Sequence, residues 1–307
     1  MYSRLVAGTC ACTFLVLSAA TPVLAHGIAG NRFFPATLVV EDPFAADEAA
    51  LPTISTHKEP SEGDEPRTRE TEIEVEGAKV VAPHFAVSVG ESYAMRNADG
   101  PGGTASGFGN LELGAKYQFL TSEAHEAVAA LNLEFSIGGT GARQVEAEAF
   151  TRFEPSILFG KGFGDLPDSL RFLRPIAVTG SVGMSVPFDQ DSTVYEGDPP
   201  VPDTVRNHDS LTYGLTLQYS LAYLQANVKD VGLGDIVRRL VPIIEFAGET
   251  PFDGGGGERT TATVNPGLLW TGNKIQLGVE AICPINAASG ADIGVIAQLH
   301  LYLDDIL

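Results

Sequence analysis

The chain of 307 residues has only three cysteines, and two of them, Cys10 and Cys12, lie within its first 25 residues. Those residues have the form of a secretory signal. Arg4 is followed by an apolar stretch over 5–20, and Val23-Leu24-Ala25 makes a cleavage site before His26. With 1–25 removed, Cys283 stands alone and no internal disulfide can form. Basic residues are also scarce, 19 Lys and Arg against 39 Asp and Glu, for a formal net charge of −20. Loss of Arg4 takes this to −21, an acidity that argues against a nucleic-acid partner. After the signal no apolar run is long enough for a membrane-spanning helix. That lack does not count against a membrane barrel, where only alternate residues meet lipid.

What the chain has instead is alternation. Over 111–119, Leu111, Leu113, Ala115, Tyr117 and Phe119 point one way, and Glu112, Gly114, Lys116 and Gln118 point the other. Similar segments are predicted at 71–76, 84–93, 128–138, 151–160, 175–186, 211–221, 241–248, 261–270, 274–283 and 292–303. The first is weak, with Ile73 and Val75 set among Glu72, Glu74 and Glu76. The economical reading is an all-β, antiparallel outer-membrane β-barrel of about 10–12 strands, oily outside and polar inside.

The region 26–69 reads differently. It carries five prolines and an acidic polar run, with alternation only over 36–40. We expect 1–25 to be the signal, 26–69 an extended periplasmic lead segment that can contribute one strand, and 70–307 the barrel. Long connections at 99, 139, 189–207, 254 and 287 are expected outside, and 121–126, 161–171 and 226–238 inside, the last with room for a short helix. Pro155, Pro242 and Pro266 fall within strand segments and demand ladder gaps or bulges, because proline donates no hydrogen bond. Tyr93, Tyr117, Phe119, Phe159, Tyr219, Tyr223, Trp270 and Tyr302 lie near strand ends, as interfacial rings would.

Glycine-then-strand and hairpin motifs add a family signal. Gly107-Phe-Gly-Asn-Leu-Glu-Leu-Gly-Ala-Lys-Tyr-Gln-Phe119 resembles a signature of the outer-membrane proteins named for the meta-pathway of phenol degradation. Asn265-Pro-Gly-Leu-Leu-Trp270 with the Gly272-Asn273 turn is similar to that family's C-terminal hairpin. The resemblance spans about 70–303 and implies a barrel that helps small apolar, aromatic-like compounds across. The segment Arg32-Phe-Phe-Pro-Ala-Thr-Leu38 has no place in the family pattern, and the chain ends in Asp304-Asp-Ile-Leu307 rather than on an aromatic.

Candidate chemistry is thin. Gly138-Gly-Thr-Gly-Ala142 and Gly160-Lys-Gly-Phe-Gly-Asp165 lack the following helix that a phosphate loop needs, so turn glycines are expected. His125-Glu126 starts like a zinc-protease motif, but residue 129 is Ala. An N-terminal His26 could chelate copper, with no other residue supporting it. The 189–203 loop is acidic without EF-hand spacing. No Gly-x-Ser-x-Gly elbow accompanies His300, so a lipid hydrolase is disfavoured. No catalytic, metal or cofactor site is expected, and the chain is not expected to be an enzyme. The lumen-facing set is expected to be Glu112, Lys116, Glu134, Arg152, Glu154, Gln218, Glu245, Glu280, Gln298 and His300, mostly in structural charge pairs around a constricted lumen. The functional expectation is an outer-membrane channel for small apolar solutes, with the lipid bilayer as partner. The alternatives are a non-transporting structural or adhesive barrel and a soluble periplasmic binding barrel.

Overall fold

The computed structural model describes residues 27–61, 66–99, 103–196, 201–252 and 259–303. The signal, His26 and the C-terminal 304–307 lie outside these described residues. The fold is a closed antiparallel barrel of twelve strands. They are β3 (Glu48–Lys58), β4 (Thr68–Ala82), β5 (Phe85–Ala98), β7 (Leu111–Ser122), β8 (Ala127–Ile137), β9 (Arg152–Gly162), β10 (Ile176–Pro187), β13 (Ser210–Tyr219), β14 (Leu240–Pro251), β15 (Thr261–Thr271), β16 (Ile275–Pro284) and β17 (Gly294–Tyr302). Each pairs with its neighbour in sequence, β17 pairs with β3, and the ring closes. The short β6 (Thr104–Phe108) continues the line of β7 along the outer half of β5, after a break at Gly109 and Asn110.

Pairing register carries the alternation around the ring. Leu131 stands opposite Tyr117 on one side and Ile157 on the other, all facing out. One position along, Asn132 stands between Lys116 and Ser156, all facing in. A period of two makes this inevitable once a single pair is set. Val89, Leu113, Ile157, Val182, Leu215, Leu277 and Val279 are therefore left exposed on the outer wall. In water such a belt would be an association hazard; in hydrocarbon it is the matching surface.

The prolines sit where the ladder has gaps. Pairing of β9 with β10 runs from Ser156–Gly183 to Phe153–Val186 with nothing at Pro155. Pro266 lies in the gap between the Val264–Cys283 and Gly267–Glu280 pairs, and Pro242 lies just beyond the last β13–β14 pair. The tight turns at 83–84, 123–126 and 272–274 share one rim with the chain's first described residues and with the longer connections 163–175 and 220–239. On the other rim, the connection between β10 and β13 holds a hairpin of β11 (Asp191–Glu196) and β12 (Val201–Arg206) where a plain loop was expected. The 226–238 connection does contain short helical turns, α1 (Leu221–Tyr223) preceding it and α2 (Asp235–Arg238) within it.

The expected boundary at 69/70 does not separate two units. β3, from within the lead segment, is a full barrel strand paired on both sides. The one strand that the lead segment was expected to be able to contribute is therefore β3, while residues 36–40, where its alternation lies, are not a strand and cross the barrel interior. Ahead of them a small hairpin of β1 (Ile28–Ala29) and β2 (Arg32–Phe33) sits at the short-turn rim. Two of the expected interfacial rings are buried instead, Tyr223 at the rim and Tyr302 in the interior. Tyr302 donates to Gln276 Oε1 at 2.7 Å and meets Phe33 edge-on.

Candidate functional site in the barrel lumen

Residues 34–47 form a strap inside the barrel. It has almost no hydrogen bonds of its own, so its buried backbone groups must be satisfied by the wall. The Leu38, Val39 and Val40 N–H groups donate to the Glu245 carboxylate at 2.8, 3.2 and 2.6 Å. Gln276 Nε2 donates to the Ala36 carbonyl at 2.7 Å, and the Ala45 N–H donates to Gln118 Oε1 at 3.2 Å. Lys116 pairs with Glu41, and Lys79 pairs with Asp47.

The interior is not uniformly polar. Val241, Ile243 and Leu269 point inward and pack against Leu38. Phe34 and Phe44 pack with Ala29, Val128 and Ala177. Backbone approach is close: a Cβ on Gly278 would lie 2.6 Å from Leu38 Cδ1, and one on Gly214 would lie 2.8 Å from both Val40 methyls. These two wall positions admit the strap because they carry no side chain.

At the short-turn rim the strap is anchored by Arg32, whose side chain is 1 % exposed. Its Nε donates to Glu126 Oε2 at 3.3 Å and its Nη1 to the Pro175 carbonyl at 2.8 Å; Nη2 bonds the Arg174 carbonyl. The guanidinium lies 3.8 Å from the centroid of the Tyr223 ring. Burial lowers its pKa, and the Glu126 carboxylate opposes that. Glu126 also accepts from Tyr223 Oη at 2.9 Å and from the Gly164 N–H at 3.0 Å. Thus His125-Glu126 is a turn whose glutamate holds the strap's anchor.

All ten expected lumen residues lie on the inward register. Glu112, Lys116, Glu134, Gln298 and His300 surround one cavity of about 280 Å³. Glu245 and Glu280 lie against one another beneath the strap, and Gln218 is buried nearby in the wall. Arg152 and Glu154 form a separate group with Ser185 and Glu148. The expected charge pairing among these ten does not form. Lys116 takes its partner from the strap, Arg152 takes Glu148, and His300 Nε2 is 3.0 Å from Glu48. Sequence reasoning missed Arg32, Glu41, Glu126, Gln276 and the inward Glu74 and Glu76. The last two had a signal, the alternation with Ile73 and Val75. A second space of about 370 Å³ lies on the other side of the strap, and Val39 and Val40 line both. Glu249 and Thr261 line this second space and an outer vestibule of about 1150 Å³.

Neither a family model nor a curated relative matches the chain. Among solved structures it is similar to the COG4313 outer membrane channel from Pseudomonas putida F1, at 11 % identity and TM-score 0.60, over 88 % of this chain and 99 % of that one. It is also similar to the translocator domain of the autotransporter NalP from Neisseria meningitidis, at 10 % identity and TM-score 0.49, over 83 % and 88 % of the two chains. The NanC porin follows at 6 % identity and TM-score 0.46, over 82 % and 98 %. The fold is that of an outer-membrane barrel.

Proposed function

We propose that this chain is an outer-membrane channel for small solutes, with the lumen strap as its gate. It acts by passage rather than by chemistry. The observation that carries this reading is the way the strap is held. One carboxylate, Glu245, accepts three consecutive strap N–H groups, and spaces of about 280 and 370 Å³ flank the strap at Val39 and Val40. A permanent plug would be packed against the wall on every side; this one crosses an interior that is partly empty. The resemblance to the phenol-pathway family implies apolar, aromatic-like cargo. The polar lining favours a solute that carries a charged or hydrogen-bonding group on an apolar body.

The test is a reversible lock. Val40→Cys and Gly214→Cys in a Cys283→Ser background bring two thiols within disulfide reach, because the Gly214 Cβ position lies against the Val40 methyls. Liposome swelling by small sugars and amines, and planar-bilayer current, are read with the lock oxidised and reduced. Flux that appears on reduction supports the channel. Equal, negligible flux in both states makes this a structural barrel and overturns the reading.

A further inference from the structure

The cavity of about 280 Å³ beside the strap has an unbalanced wall. Of its seven acids, Glu41 is matched by Lys116 and Glu48 by His300, and Asp42 accepts from the Phe44 N–H. Glu74, Glu76, Glu112 and Glu134 also line it, and among the described residues none of these four is in an ion pair. They come from four strand positions on β4, β7 and β8, so the acidity belongs to the wall and not to one loop.

A cluster of acids can be mere solvated surface, but a second feature here points to an occupant. Asn132 lines the same cavity, is 7 % exposed, and makes no side-chain hydrogen bond in the structure. A buried amide with both ends unused is costly unless something in the space it faces meets it. The rest of the wall is mixed: Ala36, Leu38 and Val39 of the strap and Ala86 of the barrel give an apolar strip, beside the hydroxyls of Thr53 and Ser88.

We infer that this cavity binds a small organic cation, a protonated amine carried on an apolar body of one ring or a short chain. The volume is just below the range for drug-sized ligand sites, about 300–1,000 Å³, which suits a small molecule. The carboxylates attract the ammonium and the Asn132 amide oxygen accepts from it, while the strap covers the body. A bare metal ion fits less well. Metal sites need oxygens or nitrogens that converge. Among the described residues the convergent group is His57, Glu59 and Glu70, away from this cavity, and Arg96 already bonds both glutamates there.

The inference rests on the channel reading for its biological sense, yet it is read by binding alone. The full chain in detergent is titrated with 2-phenylethylamine, with its neutral isostere 2-phenylethanol, and with Mg²⁺ alone, by calorimetry and ligand-observed NMR. The amine is expected to bind at least tenfold more tightly than the alcohol. The triple variant Glu74→Gln, Glu112→Gln, Glu134→Gln should weaken the amine tenfold or more and keep its heat-modifiable gel mobility, since it removes like charges that no cation balances. Asn132→Leu, which leaves the charge intact and fills the space, should weaken it as well. Equal binding of amine and alcohol, an amine affinity untouched by the triple variant, or stoichiometric displacement of the amine by Mg²⁺ would each overturn the site. If the lock experiment shows no flux while the amine still binds, the channel reading fails and this one stands.

Discussion

Arg32 Nε lies 3.3 Å from Glu126 Oε2, with the two side chains only 1 % and 6 % exposed. Ninety-four residues apart in sequence, they join the strap's hairpin to the β7–β8 turn. Breaking a buried pair by removing one partner costs about 3–5 kcal/mol, because the other charge stays buried. Arg32→Met is therefore expected to free the strap's first residues without unfolding the barrel. Hydrogen exchange should show faster amides over 27–47 and unchanged protection in the strands. Arg32→Met with Glu126→Leu should cost less than the sum of the two single changes, since no charge is then left alone. Strand amides that exchange together with the strap would contradict this division.

Glu245 is the strap's central support. Hydrogen bonds to a charged acceptor contribute about 1.5–3 kcal/mol each, and donors left bare in a buried place lose more than that exchange suggests. Glu245→Ala removes the acceptor from three N–H groups at once. We expect a loss of at least about 3 kcal/mol in strap closure, and so at least a roughly hundredfold faster exchange at Leu38, Val39 and Val40. Glu245→Gln keeps one acceptor oxygen and should fall between. Amides at these three positions that exchange as in the parent chain would show that packing at Leu38 alone holds the strap.

Much of the barrel was legible because its rule is local. Once Leu131 faces lipid, Asn132 must face the lumen, and the ten expected lumen residues followed from that parity. Strand β3 was not legible, because Pro52 and an uneven run hide its alternation; the ladder around it shifts between Ala50 and Thr53. The strap was illegible for a different reason. Its partners, Glu245 and Gln276, are more than two hundred residues away, and nothing in a period of two announces a segment that satisfies its backbone from the wall. The anchor at Arg32 could be seen only as the start of a segment, Arg32 to Leu38, outside the family pattern.

Tyr223 supplies a pH signature outside the membrane. Burial, and then its bond to the Glu126 carboxylate, raise its phenol from 10.0 to about 12. A group whose folded pKa lies above its unfolded value stabilises fully below the unfolded one, and that contribution fades as pH rises through the folded one. The rim contact should thus be intact to about pH 10 and lost toward pH 12. Tyrosinate absorbance, taken as parent minus Tyr223→Phe, should titrate with a midpoint near 12 in the folded chain and near 10 after denaturation. A difference curve centred near 10 in the folded chain would mean that the phenol is not held against Glu126.

Contact between Gly278 and Leu38 offers the sharpest test of where the strap runs. A Cβ at 278 would sit 2.6 Å from Leu38 Cδ1 and 3.0 Å from Leu269 Cδ2, closer than packed atoms allow. Overpacking of this kind costs about 1–3 kcal/mol. Gly278→Ala should therefore loosen the strap and speed exchange at Leu38 N–H. Leu38→Ala alone should loosen it too, by emptying the space against Val241, Ile243 and Leu269. Combined, the two changes add one methyl at residue 278 and take three carbons from residue 38, which relieves the clash, so the pair should be less damaging than the sum, with a coupling of about 1 kcal/mol or more. Strict additivity would place Leu38 away from β16 and with it remove the path assigned to the strap across the lumen.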